Sequence, residues 1–266
     1  MRSGRAVAAA RVAATFLAAI LLTLQPRHSR AASLEDTITR IKPSIVAVGS
    51  FQQARSPAFA FHGTGFVVGD GTLVATNAHV VPEKLDAEHF EGLAVIVRSG
   101  SAGEGQRRDA RVVATDKDHD IVVLRIAGDP LPALAFVDPG AVREGRLAAF
   151  TGFPIGATLG LVPVTHRAMV SAITPIAMPS ANADRLDPKV VRRIQAGAFK
   201  VLQLDATAYP GNSGSPLYDA ATGEVMGILN MVFVKGTKEA ALSQPSGISF
   251  AIPAEYLREL IERVKD

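Results

Sequence analysis

One serine of the chain lies between glycines in a loop that apolar segments flank on both sides. The segment Gly211–Pro216 reads Gly-Asn-Ser-Gly-Ser-Pro, with Ser213 at its centre. A serine hydroxyl is a weak nucleophile until a base removes its proton. Glycines allow a sharp turn in which backbone N–H groups point at a developing oxyanion. The loop therefore predicts nucleophilic chemistry at Ser213, with the backbone of Gly211, Asn212 and Ser213 as the oxyanion site.

The base and the acid that such a serine needs are present upstream. His79 directly follows the apolar segment 72–75, and an ordinary imidazole, with a pKa of about 6.5, exchanges protons near neutral pH. Asp120 immediately precedes the apolar segment 121–126, where its carboxylate would hold the required tautomer of His79. The chain order His79, Asp120, Ser213 is that of the chymotrypsin-type triad, and it differs from the orders in subtilisins and α/β-hydrolases.

Other side chains compete for these roles. His119 is the strongest rival to His79 because it neighbours Asp120, and Asp116 and Asp118 compete with Asp120. The Asp-x-Asp-x-Asp spacing resembles part of a calcium loop, but the glycine and the closing glutamate are missing, so no metal site is expected. We interpret five of the six histidines as structural or exposed: His28, His62, His89, His119 and His166.

These motifs together resemble the trypsin-like serine proteases of the bacterial HtrA/Deg type. The matching segments cover most of the chain from residue 33 onward: Gly63–Val68, Thr76–Val81, Asp120–Leu124, Gly211–Gly214 and Gly247–Pro253. Each motif is weak alone, and their shared order makes the resemblance specific. It implies an all-β, chymotrypsin-like double β-barrel and an endopeptidase that works through an acyl-enzyme without a cofactor.

Two residues of the serine loop bear on the subfamily. Asn212 stands where digestive relatives have an aspartate that pairs with a new N-terminal ammonium. A neutral amide cannot form that ion pair, so activation by N-terminal trimming is not expected. Ser215 replaces the glycine usual in HtrA enzymes and resembles the glutamyl endopeptidase branch, in which Gly-Asn-Ser-Gly-Ser-Pro occurs.

The substrate pocket is expected around Thr207, six residues before Ser213, and along the strand residues Ile228, Leu229 and Asn230. Selection of a basic side chain would call for an acid at the base of the pocket, and Thr207 is neutral. Selection of glutamate would call for a histidine on the strand, and none is present there. The sequence therefore predicts cleavage after small or medium aliphatic residues such as Val, Ala or Ile.

The segment 1–31 is typical of a secretory signal peptide. Three arginines precede an uncharged apolar run at residues 12–24, and small residues mark a cleavage site near Ala31 or Ala32. A retained membrane anchor is the alternative, although the run of 13 residues falls short of the roughly 20 that a bilayer requires. An uncleaved segment of this kind is the one membrane contact that the sequence predicts.

Charge and cysteine content narrow the class further. Residues 1–31 contain five arginines and no acid, so the remaining chain has 23 basic and 25 acidic side chains and a net charge of −2. This excludes a broad basic surface for nucleic acid. The chain has no cysteine, which excludes cysteine-protease and zinc-thiolate sites and favours a bacterial periplasmic or secreted enzyme.

Short apolar segments separated by Gly, Asp, Pro and Ser predict strands of a β-barrel or sandwich. Six lie between residues 45 and 126 and seven between 147 and 252, including one at Leu161–Val164. Within a protease domain at 32–266, the resemblance implies an N-terminal barrel at about 44–138 and a C-terminal barrel at about 144–252. Ser33 caps a short helix that runs to Ile41, and one apolar face predicts a C-terminal helix at 253–264.

Three further expectations concern regulation and assembly. The segment 176–200 overlays the loop with which HtrA enzymes sense activating ligands, or it is a plain solvated loop. Phe51–His62 contains three phenylalanines that serve a homotrimer contact or fold over their own barrel. HtrA-type enzymes commonly continue into a PDZ domain, and the sequence given ends two residues after Val264, so a protease domain without a PDZ domain is expected.

The function that this reading favours is an exported serine endopeptidase for unfolded or misfolded polypeptides, with a role in protein quality control. The alternative from another class is a non-catalytic or weakly catalytic, chaperone-like binding protein on the same fold. A hydrolase of small esters is a third interpretation, which ester turnover alone would not separate from the first.

Overall fold

The computed structural model describes residues 33–98, 105–156, 160–176, 199–230 and 247–265. Its elements, in chain order, are α1 Leu34–Ile41, β1 Ile45–Phe51, β2 Phe59–Val68, β3 Leu73–Asn77, β4 Gly92–Arg98, β5 Gly105–Asp116, β6 Ile121–Ile126, β7 Leu147–Gly152, β8 Val164–Ile176, β9 Phe199–Asp205, β10 Pro216–Asp219, β11 Val225–Asn230, β12 Ile248–Pro253 and α2 Ala254–Lys265. The predicted signal peptide and nearly all of the predicted sensing loop lie outside the described residues.

The strands close into two antiparallel barrels. The N-terminal barrel has the order β1-β2-β3-β6-β5-β4, and β1 pairs with β4 to close it. The C-terminal barrel has the order β10-β11-β12-β9-β8-β7, and β10 pairs with β7. Closure pairs the strand edges that an open sheet would leave exposed. The fold-class prediction of a chymotrypsin-like double barrel with a helix near each end is confirmed.

The separate strand predicted at Leu161–Val164 is wrong. In the structure β8 begins only at Val164 and runs to Ile176 as one continuous strand. The preceding residues include Pro163, which has no backbone N–H and cannot donate to a sheet ladder. The seven predicted strands of this half are therefore six.

Apolar side chains form three clusters, one inside each barrel and one between the barrels. The inter-barrel cluster takes Phe66 and Ile121 from the N-terminal barrel and Phe153 and Tyr218 from the C-terminal barrel. Helix α2 adds three of its buried side chains to the same cluster: Leu257, Leu260 and Ile261. The helix therefore stabilises the contact between the two barrels.

Helix α1 begins with a reciprocal cap. The Ser33 hydroxyl accepts the Asp36 N–H at 3.2 Å, and the Asp36 carboxylate accepts the Ser33 N–H at 3.3 Å. Two of the otherwise unsatisfied N–H groups at the helix start are thus bonded. Across the described ranges, no helix is long and apolar enough to cross a membrane.

Glu91 organises the segment that connects β3 to β4. Its carboxylate accepts hydrogen bonds from the Ser50 hydroxyl at 2.6 Å, the Asp86 N–H at 2.9 Å and the Arg55 guanidinium at 2.6 Å. These donors lower the pKa of Glu91 to about 2, with Ser50 as the largest cause. One carboxylate therefore joins β1, the loop after β1 and the segment that follows β3.

We expect Glu91→Gln to lower the free energy of unfolding by an amount that depends on pH. Because the folded-state pKa is lowered, the carboxylate stabilises the fold above its unfolded-state pKa of about 4.3, and this contribution is lost as the pH falls towards about 2. Urea unfolding should show the variant less stable than the wild type at pH 6, with a difference that shrinks between pH 4 and pH 3.

The matched control is Glu88→Gln, because Glu88 is exposed and has no hydrogen-bond partner among the described residues. A difference between the wild type and Glu91→Gln that stayed constant from pH 6 to pH 3 would contradict the role given to Glu91.

Candidate functional site

His79 and Asp120 lie side by side because their strands are hydrogen-bonded neighbours. β3 pairs with β6 so that Asn77 faces Ile121. His79 follows the end of β3 in a short 3-10 turn, and Asp120 immediately precedes β6. The Asn77 side chain donates from Nδ2 to the carbonyl oxygen of Asp120 at 3.1 Å. Asp120 has φ 54°, a left-handed backbone that is strained for a residue other than glycine.

Ser213 projects from the loop between β9 and β10. Gly211 (φ 98°) and Gly214 (φ 85°) supply the left-handed backbone on either side of the serine. A Cβ on Gly214 would collide with the carbonyl oxygen of Thr64, so the loop also needs glycine for close approach to the other barrel. The Gly214 N–H donates to the Leu229 carbonyl at 3.0 Å, which fixes the loop to β11.

The serine, the histidine and the aspartate form one hydrogen-bonded series. Asp120 Oδ2 lies 2.6 Å from the ring nitrogen Nδ1 of His79, and Asp120 Oδ1 accepts a hydrogen bond from the His79 backbone N–H at 2.9 Å. His79 Nε2 lies 3.0 Å from Ser213 Oγ. Asp120 and Ser213 are buried, and the imidazole is 33% exposed. With Nδ1–H donated to the aspartate, Nε2 is free to accept the serine proton.

In the serine loop, the backbone N–H groups of Gly211 and Ser213 have no hydrogen-bond acceptor among the described residues. The N–H of Asn212 instead donates to the Tyr209 carbonyl at 2.9 Å, and its carbonyl accepts the Ser215 N–H at 3.0 Å. Of the three predicted oxyanion donors, the structure therefore leaves two available, and Asn212 supports the turn between them.

The residues predicted to line the substrate pocket have different surroundings. Thr207 is half-buried, and its neighbours Ala206 and Ala208 pack in the core of the C-terminal barrel. Ile228 and Leu229 are fully buried in the inter-barrel cluster and the C-terminal core respectively. Their side chains stabilise the fold, which corrects the expectation that they offer surface to a substrate.

Asn230, also predicted to line the pocket, contacts the acid. Its Nδ2 donates to Asp120 Oδ2 at 2.7 Å, and the asparagine is fully buried. The carboxylate of Asp120 thus receives three hydrogen bonds, two from His79 and one from Asn230. In the sequence, Asn230 is recognisable only as a polar residue at the end of an apolar strand. This pattern does not tell which side chain the asparagine contacts.

Sequence reasoning gave Thr64 no role, and the structure places it under the serine loop. Its N–H donates to the Ser213 carbonyl at 2.9 Å, and its Oγ1 donates to the Gly211 carbonyl at 2.7 Å. Oγ1 also accepts the Phe153 N–H at 3.1 Å, and the Thr64 carbonyl accepts the Thr76 hydroxyl at 2.6 Å. A threonine between two glycines on β2 is the signal that marks this position.

His119, the rival to His79, lies in a different cluster. Its Nδ1 is 2.8 Å from Asp116 Oδ2, and its ring stacks on Tyr256 of α2 at 3.9 Å with Phe199 edge-on at 5.0 Å. Burial opposes ionisation of Asp116, and the hydrogen bonds from His119 outweigh it, so the pKa of Asp116 is lowered. The cluster fixes the turn that carries Asp120 to the C-terminal helix.

The remaining described histidines have other partners. His89 pairs with Asp86 at 2.8 Å, and His62 lies 3.3 Å from the Ser50 hydroxyl. His166 stacks on Phe150, and burial lowers the pKa of its imidazole. Within the described part of the chain, no group of three or more His, Cys, Asp or Glu could hold a metal ion.

The sequence is similar to those of known serine proteases. A family model described as a trypsin-like peptidase domain matches residues 63–228. The mitochondrial serine protease HTRA2 of Bos taurus is 30% identical over 238 residues, covering 86% of this chain and 43% of that protein. A probable periplasmic DegP-like serine endoprotease of Halomonas elongata is 28% identical over 204 residues, covering 77% of this chain and 35% of that protein. The chain therefore spans less than half the length of these relatives.

Solved structures show the same fold. The HtrA-type protease AlgW with a tripeptide superposes with a TM-score of 0.61 at 24% identity, covering 87% of this chain and 63% of that one. A serine endoprotease from Yersinia pestis gives a TM-score of 0.61 at 24% identity, with 88% and 66% covered. At this identity the likeness is evidence for the fold alone.

We expect Asn230→Leu to slow the reaction of Ser213 with a fluorophosphonate by roughly 10- to 100-fold. The variant keeps the branching and the number of side-chain heavy atoms and removes a buried hydrogen bond to a charged group, worth about 1.5–3 kcal/mol. The measurement is the second-order labelling rate constant. The control, Thr37→Val, removes a hydroxyl hydrogen bond from buried Thr37 on α1 to the Ala221 carbonyl, and none of the three triad residues takes part in it. Equal rates in both variants would show that Asn230 does not support Asp120.

We expect Gly211→Ala to lower the same labelling rate by about 10²–10³-fold, the usual effect of losing one oxyanion donor. A methyl group there would meet the Phe153 carbonyl and displace the Gly211 N–H. Gly140→Ala is the control, because Gly140 has φ 74° and no heavy atom within 4 Å of the added carbon. Both variants carry the left-handed strain, and only Gly211→Ala should lose reactivity. A normal rate for it would exclude the Gly211 N–H as an oxyanion donor.

Proposed function

The chain belongs to the trypsin-like peptidase family and is homologous to HtrA- and DegP-type serine proteases, and from this premise we propose that it is an exported serine endopeptidase. One observation carries the proposal: the hydrogen-bonded series from Asp120 through His79 to Ser213 lies beside the unbonded N–H groups of Gly211 and Ser213. These are the nucleophile, the base, the orienting acid and the oxyanion donors that peptide hydrolysis requires.

The reaction follows from the proton positions. Ser213 Oγ attacks the carbonyl carbon of the scissile bond while His79 Nε2 takes its proton, and the carbonyl oxygen becomes an oxyanion at the Gly211 and Ser213 N–H groups. The imidazolium, stabilised by Asp120, then gives the proton to the leaving amine. Water attacks the resulting ester by the same route, with His79 as base, and releases the acid and free Ser213.

We propose that small or medium aliphatic residues precede the scissile bond. The support is the composition around Thr207, a neutral and half-buried residue whose chain neighbours Ala206 and Ala208 are apolar. A pocket without a charged group favours an uncharged side chain, because an ionised one would lose its hydration without gaining a partner.

The cellular setting is also a proposal. A signal peptide at 1–31, export to the periplasm or beyond, and action on unfolded or misfolded chains in protein quality control rest on the sequence and on the DegP-like relatives. A homotrimer rests on the resemblance alone. Phe51 lies under the Arg107 guanidinium at 4.0 Å, and Phe59 and Phe61 pack on the inter-barrel cluster. These contacts support the alternative in which the three rings fold over their own barrel.

The test is peptide cleavage with a matched inactive variant. Wild-type protein should cleave peptides with Val, Ala or Ile before the scissile bond at least tenfold faster than peptides with Arg or Glu there, and Ser213→Ala should abolish cleavage and fluorophosphonate labelling. The panel is measured as kcat/KM, with binding of a denatured protein as a second readout. Best cleavage after Arg or Glu would overturn the preference. If the wild-type protein cleaved no peptide, and Ser213→Ala bound the denatured protein as tightly as the wild type, the chaperone-like alternative would be favoured.

A further inference from the structure

The face of β2 that lies against the serine loop continues beyond it. Phe61 Cε1 lies 3.1 Å from the position that a Cβ on Gly211 would occupy, and its ring meets Phe153 edge-on at 6.1 Å. Phe59 is two residues earlier on the same strand, so its side chain shares this face and its Cα lies about 7 Å further along the strand. The strand therefore leads from the reactive serine to a second apolar position.

A cavity of about 340 Å³ opens at that second position. It lies where the two barrels meet, with Phe59, Ile96, Arg98 and Gly105 from the N-terminal barrel and Leu161 from the β7–β8 connection. Ile96 and Arg98 alternate along β4 and thus share one face. The volume suits one or two amino-acid side chains, and the walls are mainly apolar.

Arg98 adds a positive charge to the rim. Its Nη1 donates to the Leu161 carbonyl at 2.8 Å, which joins the two barrels on this side. No carboxylate of the described residues forms an ion pair with it. A guanidinium with remaining N–H donors favours a carboxylate of a ligand.

Phe61, which approaches Gly211, and Phe59, which lines the cavity, place the cavity further along β2 from the oxyanion site. The acyl part has to place its carbonyl oxygen at the Gly211 N–H and its side chain towards Thr207, on the C-terminal barrel. The residues after the scissile bond then leave in the opposite direction, past Phe61 and along β2. An extended peptide advances about 3.3 Å per residue, so its second or third residue reaches Phe59.

We propose that this cavity is a subsite for the leaving side of a polypeptide substrate, taking an apolar side chain at the second or third residue after the scissile bond and preferring an acidic residue next to it. The inference rests on the proposed function and names the substrate class more closely. Phe59 and Leu161 contact the apolar side chain, and Arg98 contacts the acidic one.

The experiment compares peptides that share one acyl part and differ after the scissile bond. Leu or Phe at the second or third leaving residue should raise kcat/KM about tenfold over Ser at the same position, and Asp after it should be preferred to Lys. Each rate is divided by the rate for an anilide with the same acyl part, which has no leaving-side residues. Phe59→Ala should reduce the Leu-to-Ser ratio to near one, and Arg98→Met should remove the Asp-to-Lys preference.

Two further variants keep the test decisive. Leu161→Trp fills the cavity with a larger apolar side chain and leaves Phe59 in place, so it should reduce the same ratio even if Phe59→Ala folds poorly. Leu147→Ala, at an apolar residue that is 63% exposed on β7, should leave it unchanged. A wild-type ratio near one would overturn the subsite while anilide cleavage still upheld the peptidase. Absence of anilide cleavage and of fluorophosphonate labelling would instead overturn the peptidase.

Discussion

The carbonyl oxygen of Ser213 accepts a hydrogen bond from the N–H of Thr64 at 2.9 Å, and this bond joins the two barrels at the reactive serine. His79 and Asp120 belong to the N-terminal barrel and Ser213 to the C-terminal barrel. A serine placed 1 Å away would lose its hydrogen bond to the imidazole. The relative position of the barrels is therefore the constraint on which the site depends.

Several independent contacts maintain that position. Thr64 also binds the Gly211 carbonyl, and Asn230 crosses from the C-terminal barrel to the carboxylate of Asp120. Helix α2 packs its apolar side chains between the barrels, while His119 stacks on its first turn. The apolar contacts supply most of the free energy of association, and the hydrogen bonds fix direction and distance. Removing one of them should disturb the geometry of the site more than the fold.

The buried charge of Asp120 explains why polar residues surround it. An ionised carboxylate whose side chain is only 7% exposed is unfavourable unless hydrogen bonds replace its water. The two His79 groups and the Asn230 amide supply three such bonds, and Asn77 binds the carbonyl of the same residue. The left-handed backbone of Asp120 is maintained by these partners. Local strain and buried charge are thus concentrated at the residue that orients the imidazole.

The sequence by itself determined the chemistry and the fold class. Residue type and chain order identify Ser213, His79 and Asp120 as candidates, and segment length with turn residues predicts the strands, because both signals are local. The sequence could not place Asn230, Thr64 or His119, since each acts through a partner more than a hundred residues away in the chain. Which face of β11 meets Asp120, and which N–H groups near Ser213 stay unbonded, is decided only when the barrels close and pack together. The physical reason is that hydrogen-bond pairing and burial depend on distances in space, and spacing along the chain does not specify them.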